Sequence, residues 1–374
     1  MRVLILSCNT GEGHNSAGKA VAEAVVESGH ESVMLDIMLL SGKKTSTAVG
    51  GAYVGIVKHA PGFFKLLYRL GGLISSPKRK SPVYYANSLM VKHLQRFLRE
   101  NHFDIIVTPH LFAAETLTCM MKKGLLEQKT VSIATDYTCI PFFEETECDY
   151  CIVPHRDLIH EYAAKGMKRE RLLPYGIPVR ARFLDREQKR EARRKCHLPE
   201  DKPAFLVMSG SMGFGKIHLF VARLALKCER GEQIVIICGN NKKLEYILKK
   251  EFRWNENIHI LGYTERVSLY MDACDVIFTK PGGLTSTEAA VKNIAMVHTT
   301  PIPGCETKNR NFFTQRKMSY ASDTIKDQIN AGMKLMDHEE LREKMREAQR
   351  HNCNPNAARQ IADLLLKLCG EERK

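Results

Sequence analysis

Short apolar, β-rich runs alternate with helical patterns from the first residue, stop past the middle of the chain, and then begin again. Parallel strands need a crossover between them, usually a helix, so this rhythm predicts stacked βαβ units and two parallel sheets. Strands of the first series are expected at 3–7, 32–37, 104–108, 131–135 and 150–153, and those of the second at 204–208, 233–238, 257–261, 275–279 and 295–298. At 374 residues the chain is longer than one hydrophobic core usually serves, which agrees with two domains.

The interruption falls at 174–199. There LLPYGIPVRARF is punctuated by proline, and DREQKREARRKCHLPED is a charged helix that ends before another proline. The division expected is a Rossmann-like domain over 1–178, a linker over 179–198 and a second Rossmann-like domain over 199–350. A C-terminal helix within 351–374 carries Ile361, Leu364, Leu365 and Leu368 on one face, so it must pack somewhere and could return to the first domain. The fold class is α/β.

The opening MRVLILSCNTGEGH has one basic residue and a short apolar run ending in a glycine-rich turn, which reads as a first strand rather than a signal peptide. No stretch approaches the roughly 18–20 apolar residues that cross a bilayer, so a cytoplasmic protein is expected. Twelve cysteines lie scattered in apolar runs, as small buried hydrophobes do in a reducing compartment. Cys148 and Cys151 are close, but with no second pair or paired histidines nearby they read as strand cysteines rather than a zinc or redox site.

Three glycine-rich turns each follow a strand and open a helix. KPGGLTSTEAA, Lys280 to Ala290, offers free backbone at Pro281, Gly282 and Gly283, hydroxyls at Thr285 and Ser286, and the unpaired N–H groups of a helix start. Such a turn suits a diphosphate, and Glu288 one turn later suits a ribose diol. SGSMGFGK, with Gly210, Ser211 and Gly213, lacks the ending of an ATP-hydrolysing loop and reads as a further phosphate contact or an ordinary tight turn. NTGEGH places Gly11 and Gly13 before His14 at a helix start, where the dipole favours the neutral, proton-accepting imidazole.

Taken together and in order, NTGEGH, TDYT at 135–138, KPGGLTSTEA and PIPGCETKN at 301–309 resemble the processive diacylglycerol glucosyltransferases and plant-type monogalactosyldiacylglycerol synthases. More distantly, the chain is similar to the peptidoglycan enzyme that adds N-acetylglucosamine to make lipid II. The resemblance implies a GT-B fold, with acceptor in the N-terminal domain and donor nucleotide in the C-terminal one. It implies transfer with inversion from UDP-glucose or UDP-galactose to diacylglycerol or a glycosyl-diacylglycerol, with no cofactor and no catalytic metal. By position, Glu288 would hold the ribose, Gly282, Gly283 and Thr285 the diphosphate, and the backbone of Gly262, Tyr263 and Thr264 the uracil. Glu306 and Asn309 would face the donor sugar, His14 would lie at the reaction centre and Asp136 beside it. Cys305 stands where related sequences carry glutamine, so the hexose stays open between glucose and galactose.

Formal charge is +14, and between Ile37 and Arg99 there are eleven basic residues and no Asp or Glu. Within that stretch GFFKLLYRLGGLI sets Phe63, Leu66, Leu67, Leu70, Leu73 and Ile74 on one helical face against Lys65 and Arg69 on the other, Phe64 is a further membrane-binding candidate, and PKRKSPVYY adds Lys78, Arg79 and Lys80. An amphipathic helix beside clustered cations suits an anionic membrane surface, so a peripheral position on the cytoplasmic face is expected. A packed surface helix is the plainer alternative. A UDP-sugar epimerase of the same plan leaves the basic apolar face unexplained. N-acetylglucosaminyl transfer to another lipid shares the donor logic, while a nucleic-acid-binding protein would answer the charge but leave the glycine turns idle. The glycosyltransferase reading needs neither nucleic acid nor an obligate protein partner.

Overall fold

The computed structural model describes residues 1–9, 11–44, 46–47, 51, 70–71, 80–208 and 217–371. Every expected strand forms, because apolar runs such as VLIL, IIV, FLV and VIF are buried on both faces, as central parallel strands require. The first sheet contains β1 (Arg2–Ser7), β2 (Glu31–Asp36), β3 (Ile105–Thr108), β4 (Lys129–Ile133), β5 (Tyr150–Ile152) and β6 (Leu172–Leu173). Their spatial order is β2-β1-β3-β4-β5-β6, all parallel. The second contains β7 (Ala204–Met208), β8 (Gln233–Ile237), β9 (Ile258–Leu261), β10 (Val276–Thr279), β11 (Ala295–His298) and β12 (Tyr320–Ala321), in the order β12-β11-β10-β7-β8-β9. This sheet too is parallel throughout.

Both orders reverse direction once. In the first sheet β2 lies to one side of β1 and β3 to the other; in the second, β8 and β10 flank β7 in the same way. The loops leaving the two strands at such a switch point diverge, and ligands bind outside the carboxyl ends there. Among the described residues, the segments selected are 11–14 with 109–111 in one sheet, and 280–283 in the other.

The chain divides into two compact units. One comprises Met1–Ala181, Pro303–Cys305 and Asn354–Lys374, and the other Arg182–Ile302 and Glu306–Cys353. The charged helix expected in the linker, Lys189–Lys195, is thus an integral part of the second unit. Arg193 is buried and donates to Asp275 at 2.7 Å and to the Ala273 carbonyl at 3.0 Å. Asp275 also takes Lys189 at 2.5 Å and the Ala204 N–H at 2.9 Å. Burial would raise the Asp275 carboxyl, but Lys189, the Ala204 amide and Arg193 hold it below its usual range.

The C-terminal helix, Ala357–Glu371, belongs to the first unit. Ile361, Ala362, Leu365 and Leu368 close a core against Val3, Ile5, Val21 and Val107. Asn354 Nδ2 donates to the Tyr175 carbonyl at 2.7 Å where the chain re-enters that unit. In the second unit the Ile325–Asp337 helix lies so close to β10 that a Cβ on Gly332 would stand 2.1 Å from Phe278 Cζ. Only glycine permits that approach.

All twelve cysteines are free thiols. Burial pushes the thiols of Cys148, just before β5, and Cys151, within it, up to about 12, the state of inert buried cysteines. No described helix is long and apolar enough to cross a membrane, and among the described residues no cluster of His, Cys, Asp or Glu is placed to hold a metal.

Candidate active site

The first unit brings its candidates together at the switch point. Gly11 is the N-cap of the Glu12–Glu27 helix, and Gly13 and His14 fall in its first turn. The His14 ring reaches across to the loop after β3, where its Nδ1 lies 2.9 Å from the Pro109 carbonyl. Thr135 Oγ1, at the end of β4, lies 3.0 Å from the same nitrogen. A carbonyl only accepts, so Nδ1 carries the hydrogen and Nε2 keeps its lone pair. Burial lowers the proton affinity of His14, while the Asp136 charge and the Pro109 carbonyl oppose that effect. The balance leaves a neutral imidazole at neutral pH, as a proton acceptor requires.

Asp136 follows β4 and lines a small pocket with His14, Pro109, Thr135, Thr138 and Tyr162. Its loop is held from behind. Glu161 accepts the Thr138 hydroxyl at 2.5 Å and the Cys139 N–H at 3.0 Å, and the Tyr162 hydroxyl donates to the Thr138 carbonyl at 3.0 Å. Sequence reading placed His14 and Asp136 here but missed His110, whose ring meets that of His14 edge-on at 4.6 Å between centroids. The signal was available: TPH follows β3 as NTGEGH follows β1.

In the second unit the Gly283–Val291 helix starts directly after β10, with Gly282 as an N-cap that contributes no side chain. Its first intrahelical amide bond runs from Ser286 N to Gly282 O at 3.0 Å, so the amides of Gly283, Leu284 and Thr285 are the orphan donors of the first turn. Pro281 and Gly283 are buried, Gly282 and Thr285 half-buried, and Glu288 is buried one turn along. Half-buried Lys280 adds a cation whose proton affinity is lowered by burial and supported by Glu306. The sequence reading gave Lys280 no role.

Two expected ligand groups point elsewhere. Ser286 is fully buried and its Oγ lies 2.9 Å from Nε2 of buried His298, so it fastens the helix to β11. Asn309 is fully buried as well and its Nδ2 donates to the Pro281 carbonyl at 3.0 Å, which ties it to the turn. Glu306 accepts the Ile302 N–H at 2.6 Å and remains half-buried near Lys280.

A Cβ on Gly262 would stand 2.5 Å from the Glu245 carboxylate, so a larger residue there would displace the end of that side chain. Tyr263 is exposed, and Thr264 Oγ1 accepts the Arg266 N–H at 3.1 Å to start the next helix. Gly210, Ser211 and Gly213 lie outside the described residues, as do Phe63, Phe64, Lys65, Leu67, Arg69, Lys78 and Arg79. Lys80 turns inward: its ammonium donates to the Glu145 carbonyl at 2.5 Å and pairs with Glu147 at 3.2 Å. It anchors the chain where an exposed membrane cation was expected.

Two parallel six-stranded sheets, each with its own switch point, define the GT-B fold. A solved MurG structure from Acinetobacter baumannii shares this fold, with a TM-score of 0.63 at 17% identity over 98% of this chain and 99% of that one. UDP-GlcNAc 2-epimerase from Neisseria meningitidis does too, with a TM-score of 0.65 at 13% identity, covering 98% of this chain and 100% of that one. Residues 14–179 match the family of monogalactosyldiacylglycerol (MGDG) synthase, and residues 204–364 the glycosyltransferase family 28 C-terminal domain. The two matches fall on the first and second halves of the chain in turn, and both are to glycosyltransferase families. Among its relatives, a processive diacylglycerol beta-glucosyltransferase of Staphylococcus epidermidis is 24% identical over 99% of this chain and 93% of its own length. A chloroplastic monogalactosyldiacylglycerol synthase of Spinacia oleracea is 28% identical over 82% of this chain and 61% of its own.

Proposed function

We propose that this protein transfers glucose or galactose, with inversion, from a UDP-sugar to diacylglycerol or a glycosyl-diacylglycerol at a membrane surface. The observation that carries the reading is the neutral His14, held through Nδ1 so that Nε2 is the accepting nitrogen. In the reaction the acceptor oxygen bonds to the anomeric carbon, its proton passes to His14 Nε2, and the bond from that carbon to the diphosphate breaks. The departing UDP takes the electron pair, and the amides of Gly283, Leu284 and Thr285 with Lys280 stabilise its charge. Glu288 binds the ribose hydroxyls. Asp136 acts on His14 by its charge, which favours the imidazolium that forms. No metal or cofactor enters this scheme.

The relatives' names support the lipid acceptor, and the basic, acid-free stretch supports an anionic surface. The test is incubation with liposomes of anionic lipid and diacylglycerol and a panel of labelled UDP-sugars. Labelled glycolipid is expected; conversion of the free nucleotide sugar without lipid product would show an epimerase instead. Glu288→Ala should weaken UDP binding by about 10- to 100-fold, the effect of losing hydrogen bonds to a charged group, as read by calorimetry. Unchanged affinity removes the ribose assignment.

A further inference from the structure

The carbonyl that holds His14 belongs to the Pro109–His110 peptide unit, and that unit is fixed from several sides. Its N–H, on His110, donates to Thr108 Oγ1 at 3.1 Å, while its C=O meets His14 Nδ1 at 2.9 Å. The next carbonyl, that of His110, accepts from Thr108 Oγ1 and from the Ala114 N–H, each at 3.1 Å. The His110 side chain completes the fixation. It is the N-cap of the Leu111–Lys122 helix, with Nδ1 accepting the Phe112 N–H at 3.1 Å, so its own proton sits on Nε2. The ring is buried, packed edge-on between His14 at 4.6 Å and Phe112 at 4.8 Å.

We propose that His110 is a positioning residue for His14: it fixes the carbonyl that sets the tautomer of His14 and excludes water from the ring it packs against. The inference rests on the reading of His14 as the base. Without the His110 imidazole the Pro109–His110 peptide keeps its backbone bonds to Thr108, but His14 loses the ring that shields it, so water could compete with the Pro109 carbonyl, His14 could carry its proton on either nitrogen, and Nε2 would be the acceptor for only part of the time. Burial and the neighbouring His14 charge hold His110 itself well below the usual histidine range, so it stays neutral where the reaction runs. Among the described residues, the charged or titratable groups facing His14 are then Asp136 from the β4 loop and His110 from the β3 loop. Chemistry at His14 would therefore follow one titration.

His110→Asn keeps a side-chain acceptor for the Phe112 N–H but removes the imidazole. The measurement is the two-bond proton–nitrogen spectrum of the full-length protein with ¹⁵N-labelled histidine, followed from pH 4.5 to 8.5, beside the pH profile of kcat/KM. In the parent protein His14 should show a protonated Nδ1 and a bare Nε2. In the variant it should show averaged nitrogens, an acidic limb moved up by about one pH unit and a kcat lowered roughly 10- to 100-fold, with UDP affinity unchanged. Thr108→Val, which frees the same peptide from the other side, should shift tautomer and limb in the same direction by less. A His14 tautomer and limb that stay put in both variants would overturn the proposal, as would a parent His14 protonated on Nε2. If lipid glycosylation is absent while the tautomer responds, the functional reading fails and the coupling stands; transfer with no tautomer response is the reverse outcome.

Discussion

His14 and His298 both lie near the carboxyl end of a parallel strand, one in each unit, yet they have opposite fates. His14 is half-buried and anchored through one nitrogen, leaving the other available. His298 is fully buried, with Ser286 Oγ 2.9 Å from Nε2 and Ser319 Oγ 3.0 Å from Nδ1. Position in the fold does not separate a reactive imidazole from a structural one. The count of occupied nitrogens does, because an imidazole with both taken has no lone pair left to offer.

The sharpest way to break this contrast is His14→Ala. Transfer should fall by about 10²–10⁴-fold, the range lost with a general base, while UDP affinity and the unfolding midpoint stay near the parent values. His298→Ala should do the reverse: a stability loss of about 2–5 kcal/mol from the cavity and two orphaned serine hydroxyls, with the activity of the folded fraction kept. Denaturant titration against activity per folded molecule reads both.

Titration gives a subtler test. Burial, reinforced by the Arg310 charge, pushes His298 down to about 3 in the folded protein, whereas the unfolded chain titrates near 6.5. Stability from its neutral form is complete above about pH 6.5 and falls as the pH drops toward 3, because only the unfolded state takes up the proton there. The slope is about 1.4 kcal/mol per pH unit in that window, and His298→Ala should flatten it. Ser319→Ala removes one partner and should cost only about 1 kcal/mol, with no change in transfer rate.

Much of this was legible beforehand. The central strands could be read because parallel strands buried on both faces are continuous apolar runs with no alternation to mistake, and the half-buried β2 and β9 by their place in the rhythm. β6 and β12 could not, since two edge residues give no pattern. The helix at 189–195 reads as solvated in sequence, and only the placement of Asp275 at the foot of β10 makes Arg193 a buried residue. Thr285 and Ser286 are equivalent donors in the sequence. One helical step, about 100°, separates their directions, and packing against β11 decides which one is consumed. His14 was legible because glycines announced its turn, whereas His110 had only the TPH that follows β3, a signal that gains meaning once β3 is known to lie beside β1.

The return of the Ala357–Glu371 helix to the first unit governs how the protein can be taken apart. A fragment ending at 181 would keep every strand of its sheet but expose Val3, Ile5 and Val21 where Ile361 and Leu365 had covered them. Its core is therefore assembled from segments far apart in the chain, 1–181 with 354–371, and no single proteolytic nick releases it.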